Sequence, residues 1–134
     1  MSETKIRYDM EPSKAHNGGH STDGVDPLKV KAIYRRIIRP IRERARVLGY
    51  AIGVHGSLSR DIDLIAVPWT EEAGRYPQEA LASHVRDTLN TLYRISLDGP
   101  PSIRGHGRMT WSWWIRPWTY VDFSVMPIAP EDVA

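Results

Sequence analysis

The chain has 134 residues, a formal net charge of +2, 41% hydrophobic and 25% charged residues, and no cysteine. The lack of cysteine excludes disulfides and thiolate metal sites, and no apolar run approaches the roughly 20 residues that a membrane-spanning helix needs. Such a chain is long enough to build a real core; without a signal-like apolar segment near its start, a cytoplasmic location and no membrane partner are expected.

Residues 1–25 carry few apolar side chains, and the stretch from Gly18 to Gly24 has linker composition. We therefore expect a flexible tail over 1–25 and a single domain over 26–134. His16 and His20 fall in that tail, which lacks the scaffold a metal site requires. From Asp26 the pattern turns helical. Asp26 is suited to N-cap and Pro27 to the first helical position. Val30, Ile33, Tyr34, Ile37, Ile38, Ile41, Ala45 and Leu48 recur at spacings of three and four. Pro40 lies inside this pattern and predicts a kink or a division near Arg39. Gly49 supplies a stop. Between residues 28 and 46 stand Lys29, Lys31, Arg35, Arg36, Arg39, Arg42, Arg44 and Arg46, opposed only by Glu43. Such a face is either merely solvated or an electrostatic surface for nucleic acid or triphosphate.

Tyr50 to His55 is predicted as a strand, and Ile62 to Pro68 as a second. Six of the seven residues in the latter are apolar types, alanine or proline, the composition of a strand buried on both faces. A second helix is expected from Pro77 to about Tyr93, with Leu81, Val85, Leu89 and Leu92 as its stripe. Glu79 and Arg94 complement its dipole, and His84 beside the stripe is structural. After the Asp98-Gly99-Pro100-Pro101 turn, Arg104, His106 and Arg108 occupy a glycine-punctuated loop within reach of a triphosphate. The run Met109 to Arg116 and the run around Asp122 are expected to pair as an antiparallel hairpin through Arg116-Pro117. Trp111, Trp113 and Ile115 fall on one face of its first strand; Ser112, Trp114 and Arg116 fall on the other. The four tryptophans between 111 and 118 serve either as packing or as a stacking platform for a base. Pro127 to Ala134 is expected to fray.

The chemistry concentrates in Val54-His55-Gly56-Ser57-Leu58-Ser59-Arg60-Asp61-Ile62-Asp63-Leu64. Asp61 and Asp63 are two residues apart, so in a strand both carboxylates leave the same face. Two carboxylates so placed repel each other, and burial adds to the cost. A hard divalent cation relieves both. Asp122, between Val121 and Phe123 in an apolar strand, is a third carboxylate in need of a partner. Gly56 permits a tight turn, and Ser57 offers a hydroxyl and an N–H to phosphate oxygens. His55 is assigned to the strand end rather than to catalysis.

Gly-Ser, then Asp-x-Asp in apolar surroundings, then a lone Asp in a distant apolar strand resembles the nucleotidyltransferase fold of the polymerase beta superfamily, in particular small stand-alone or phage-type members, over about Tyr50 to Pro127. Only Leu58, Ser59 and Arg60 separate Gly-Ser from Asp61, a shorter interval than that family commonly has. The resemblance implies an α+β fold with a small mixed sheet and helices on one face. It also implies Mg2+ or Mn2+ held by Asp61, Asp63 and Asp122, the same aspartates as catalytic residues, and a nucleoside triphosphate contacted through Gly56, Ser57 and Arg60. The reaction would be nucleotide transfer to a hydroxyl, with nucleic acid as a candidate partner for the arginine-rich helix over 28–46. Three alternatives stay open at this point: a metal-dependent nuclease, a nucleic-acid-binding module without catalysis, and an inactive relative that acts as a nucleic-acid- or protein-binding module.

Overall fold

A computed structural model describes residues 24–97 and 99–128. The expectations for the tail up to residue 23, including His16 and His20, and for residues 129–134 lie outside the described residues. The elements in order are α1 (Pro27–Val47), β1 (Tyr50–His55), β2 (Ile62–Pro68), a 3₁₀ turn (Glu71–Arg75), α2 (Gln78–Asn90), β3 (Ile95–Leu97), β4 (Ser102–Ile103), a 3₁₀ turn (Gly105–Gly107), β5 (Met109–Ile115) and β6 (Thr119–Val125). The fold is α+β. Six strands form one mixed sheet in the order β1-β2-β6-β5-β3, with β4 paired to β5. The β2–β6 pair is parallel; the other pairs are antiparallel.

Asp26 caps α1 through its carboxylate, which accepts the Leu28 N–H at 3.0 Å, and Pro27 opens the helix. Of the two outcomes expected at Pro40, a kink or a division, division does not occur: α1 runs as one helix across Pro40. A proline inside a helix costs about 3 kcal/mol. Val30, Ile33 and Ile37 before it, and Ile41 and Ala45 after it, all bury in the same core. Each large aliphatic side chain so buried returns roughly 1.5–3 kcal/mol, so the continuous stripe prevails over the lost hydrogen bond.

Leu48 and Gly49 turn the chain directly into β1. Gly49 has φ +93°, and a Cβ there would collide with the backbone of Ala73. Its carbonyl accepts the N–H groups of Trp69 at 2.8 Å and Thr70 at 3.1 Å, which ties the end of β2 to the start of β1. Tyr50, at that start, donates its hydroxyl to the Tyr76 carbonyl at 3.4 Å, and burial raises its pKa.

Both helices cover the same sheet face. Their buried residues join Ile62, Leu64 and Ala66 of β2, Val121, Phe123 and Val125 of β6, and Trp113 and Ile115 of β5 in one core. The expectation that β2 is buried on both faces is therefore corrected: its burial alternates, with Ile65 half-buried and Val67 exposed on the face that no helix covers. The second helix ends at Asn90, earlier than expected, so Arg94 lies beyond its last turn. Two short strands, β3 and β4, extend the hairpin that was expected. Trp113 stacks on Phe123 with centroids 5.6 Å apart, and Trp118 meets Tyr93 edge-on. These two tryptophans pack within the fold. Ile128, placed in the expected fray, packs against the core.

Candidate metal centre

Alternation places the carboxylates. Ile62 and Leu64 are fully buried on the helix side of β2, so Asp63 between them faces the open side. Val121 and Phe123 do the same for Asp122 on β6. The parallel register sets Asp63 directly opposite Asp122. Asp61 precedes the first residue of β2. Its backbone neighbour Arg60 is fastened from β6: the buried Thr119 hydroxyl donates to the Arg60 carbonyl at 2.7 Å. Ligand atoms of Asp61, Asp63 and Asp122 then lie within 4.8 Å of one another, and all three side chains are half-buried. Three hard oxygen donors, with no thiolate among them, suit Mg2+ or Mn2+.

Gly56 closes over this cluster. Its φ is +84°, and a Cβ there would stand 3.0 Å from Asp63 Oδ2. Leu58 also takes the left-handed conformation, at φ +58°, while its side chain packs against the core. The three-residue link between Gly-Ser and Asp61 is thus a tight turn with little freedom. Ser57 is exposed on that turn, one residue beyond Gly56, and Arg60 is exposed as well.

An open pocket of about 190 Å³ surrounds the carboxylates. Its walls are His55, Asp61, Asp63, Arg104, Arg108, Thr110, Asp122 and Ser124. Arg104 and Arg108 flank the β4–β5 turn, closed by the Arg104 N–H donating to the Arg108 carbonyl at 2.7 Å. Gln78, the first residue of α2, anchors that turn: its amide donates to the Gly107 carbonyl at 3.0 Å and to the Val125 carbonyl at 2.7 Å. Ser112 on β5 donates to Asp122 Oδ1 at 2.7 Å, which fixes the carboxylate, and Thr110 bonds Ser124 at 2.8 Å beside it.

Of the residues singled out in the sequence, the three aspartates, Arg104 and Arg108 share this pocket, with Gly56 against it. His55, assigned to the strand end, also lines it. Ser112, Thr119 and Gln78 were not singled out for the site. Their roles depend on partners 10, 59, 29 and 47 residues away, and the only local signal was the placing of Ser112 on the face opposite Trp113.

No protein-family model matches the chain, and no curated protein matches it. Among solved structures, a chain described as a cytoplasmic RNA terminal U-transferase is similar, with 13% identity and a TM-score of 0.45 over 93% of this chain. The aligned part is 35% of that chain, so the present one spans about a third of its length.

Proposed function

We propose that the chain binds a nucleoside triphosphate through Mg2+ or Mn2+ held by Asp61, Asp63 and Asp122, and transfers the nucleotide to a hydroxyl acceptor. The observation that carries this reading is the combination in one pocket of three convergent carboxylates and two arginines. Carboxylates alone suit a cation; arginines alone suit an anion. A pocket with both suits a metal–polyphosphate complex. At about 190 Å³ it is smaller than the roughly 300–1,000 Å³ of clefts that enclose a whole drug-sized ligand. It takes phosphates and ions, and leaves the nucleoside to extend along the open sheet face.

Bound divalent ions would supply Lewis-acid stabilisation of phosphoryl oxygens and a lowered pKa for the acceptor hydroxyl. The chain's residues do the rest. Asp61 and Asp63 hold the triphosphate side of the site, and Asp122, oriented by Ser112, completes the acceptor side. Arg104 and Arg108 neutralise the triphosphate from the β4–β5 turn, where the short Gly56–Arg60 link offers few backbone N–H groups. Ser57 and Arg60, exposed on the Gly56–Arg60 link outside the pocket wall, supply further contacts to phosphate. The acceptor oxygen bonds to the α-phosphorus, the bond from that phosphorus to the bridging oxygen breaks, pyrophosphate leaves, and the hydroxyl proton passes to solvent.

The test is equilibrium binding of nucleoside triphosphates with and without Mg2+, for the wild type, Asp61→Asn and Asp63→Asn. Binding is expected to require the ion and to be lost in both variants while far-ultraviolet circular dichroism stays unchanged. Undiminished binding in both variants would overturn the site. Cleavage of nucleic acid by the chain with a divalent ion and no nucleotide would point to a nuclease instead.

A further inference from the structure

We infer that the outer face of α1 and the adjoining edge of β1 form a binding groove for the sugar–phosphate backbone of a single-stranded nucleic acid. Lys31, Arg35, Arg39, Arg42 and Arg46 follow one another at spacings of 4, 4, 3 and 4 residues. At about 100° per residue they fall within a sector of roughly 80°, and at 1.5 Å per residue they extend over about 22 Å. This sector lies away from the buried stripe of Val30, Ile33, Ile37, Ile41 and Ala45. Of the other cations of the helix, Lys29 stands over the Trp118 ring at 4.4 Å and Arg36 over the Tyr93 ring at 4.9 Å, and Arg44 falls outside the sector. The stripe is therefore a distinct feature and not just an evenly basic helix.

The stripe has a neighbour and a floor. Arg42 donates to the Ile52 carbonyl at 3.5 Å, which sets the stripe beside β1, the first strand in the sheet order. Ile38, half-buried, forms the floor of an open groove of about 380 Å³, walled by Arg39, Arg42, Glu43 and Arg46. An apolar floor between guanidinium groups suits a ribose or base whose flanking phosphates meet the arginines.

The groove also has a direction. Arg42 lies five residues before the end of α1 and meets Ile52, two residues into β1. Both steps are about 7 Å, so the strand doubles back along the helix. On that scale His55, which pairs with Asp63 across the β1–β2 ladder, lies about level with Arg35. A strand held along the stripe thus passes the end of β1 that carries His55, and reaches the carboxylates on the opposite sheet face only by crossing the β1 edge. Where the inference names that strand as the hydroxyl acceptor it rests on the function proposed above; as a binding surface it stands alone.

The experiment is fluorescence anisotropy of the full chain with labelled 20-nucleotide single-stranded RNA and DNA, between 50 and 200 mM salt. Five phosphate contacts predict a slope of log K on log salt of about −3.5, a loss on the order of a hundredfold across that range. In Arg35→Ala/Arg39→Ala/Arg46→Ala, all exposed positions, the slope should fall to about −1.4. Arg75→Ala, an exposed cation paired with Glu72, should leave it unchanged. RNA and DNA should bind within a few-fold of each other, because the contacts are to phosphate. Unchanged binding in the triple variant, or a stripe that captures phosphatidylserine vesicles but neither oligonucleotide, would overturn the inference. Strand binding without triphosphate binding overturns only the proposed function; triphosphate binding without strand binding overturns only this inference.

Discussion

Asp63 and Asp122 face each other because each stands between two residues that the core claims, and because a parallel ladder puts them at the same level. Gly56 must then stay a glycine for two reasons, its positive φ and the nearness of Asp63 Oδ2. Gly56→Ala is expected to destabilise the chain by about 1–2 kcal/mol, the usual cost of forcing a side chain into the left-handed region. It should also weaken metal binding, since the new methyl group presses on the carboxylate. Denaturant titration and Mn2+ binding measure the two effects separately. Tyr50 gives a pH prediction. Burial raises its pKa above the ordinary value near 10, so the folded state favours the neutral phenol. Its contribution is complete below the unfolded pKa and is lost as pH rises through the higher folded value. Chemical denaturation between about pH 9 and 12 should therefore show a shallower decline in Tyr50→Phe than in the wild type.

At the scale of elements, α1 and the β5–β6 hairpin set the frame. Since α1 continues through Pro40, the proline is a cost tolerated for the sake of the stripe, and Pro40→Ala should raise stability by up to about 3 kcal/mol. A lower melting temperature in that variant would mean that the proline serves the fold. Trp113 has the opposite character. It is 1% exposed and stacked on Phe123, yet its indole N–H is buried without a hydrogen-bond partner among the described residues. Trp113→Ala should cost about 3–5 kcal/mol, whereas Trp113→Phe should cost far less, because removing the unpartnered donor offsets part of the lost packing. Gln78 joins α2 to both the β4–β5 turn and the end of β6. Gln78→Leu should free the turn that carries Arg104 and Arg108 and increase amide exchange at Gly107, with little change in the core strands.

At the scale of the whole molecule, the sequence was most legible where physical demands repeat. The three-and-four spacing of α1, the stripe of α2 and the alternation around Trp113 each placed an element, and aspartates inside apolar strands marked the carboxylates. Less legible were features decided by distant partners. The apolar run Ile62–Pro68 did not say which face a helix would cover; Ile65 and Val67 are as apolar as Leu64 yet sit on the open side. β3 and β4 are three and two residues long, too short for periodicity. Ser112, Thr119 and Gln78 became visible only through the register and the chain connections that bring them to their partners. No helix among the described residues is long and apolar enough to cross a membrane. Thermal unfolding tests the proposed metal–triphosphate site on the open sheet face without knowledge of the acceptor. The wild type and Asp63→Asn would be melted alone, with Mg2+ or Mn2+, with each triphosphate, and with both. At about 100 times the dissociation constant a ligand adds roughly 2.7 kcal/mol, a rise on the order of 5–10 °C for a chain of this size. The expected result is a rise that requires metal and triphosphate together and is absent in Asp63→Asn; no rise with any triphosphate, or the same rise in the variant, would rule the site out.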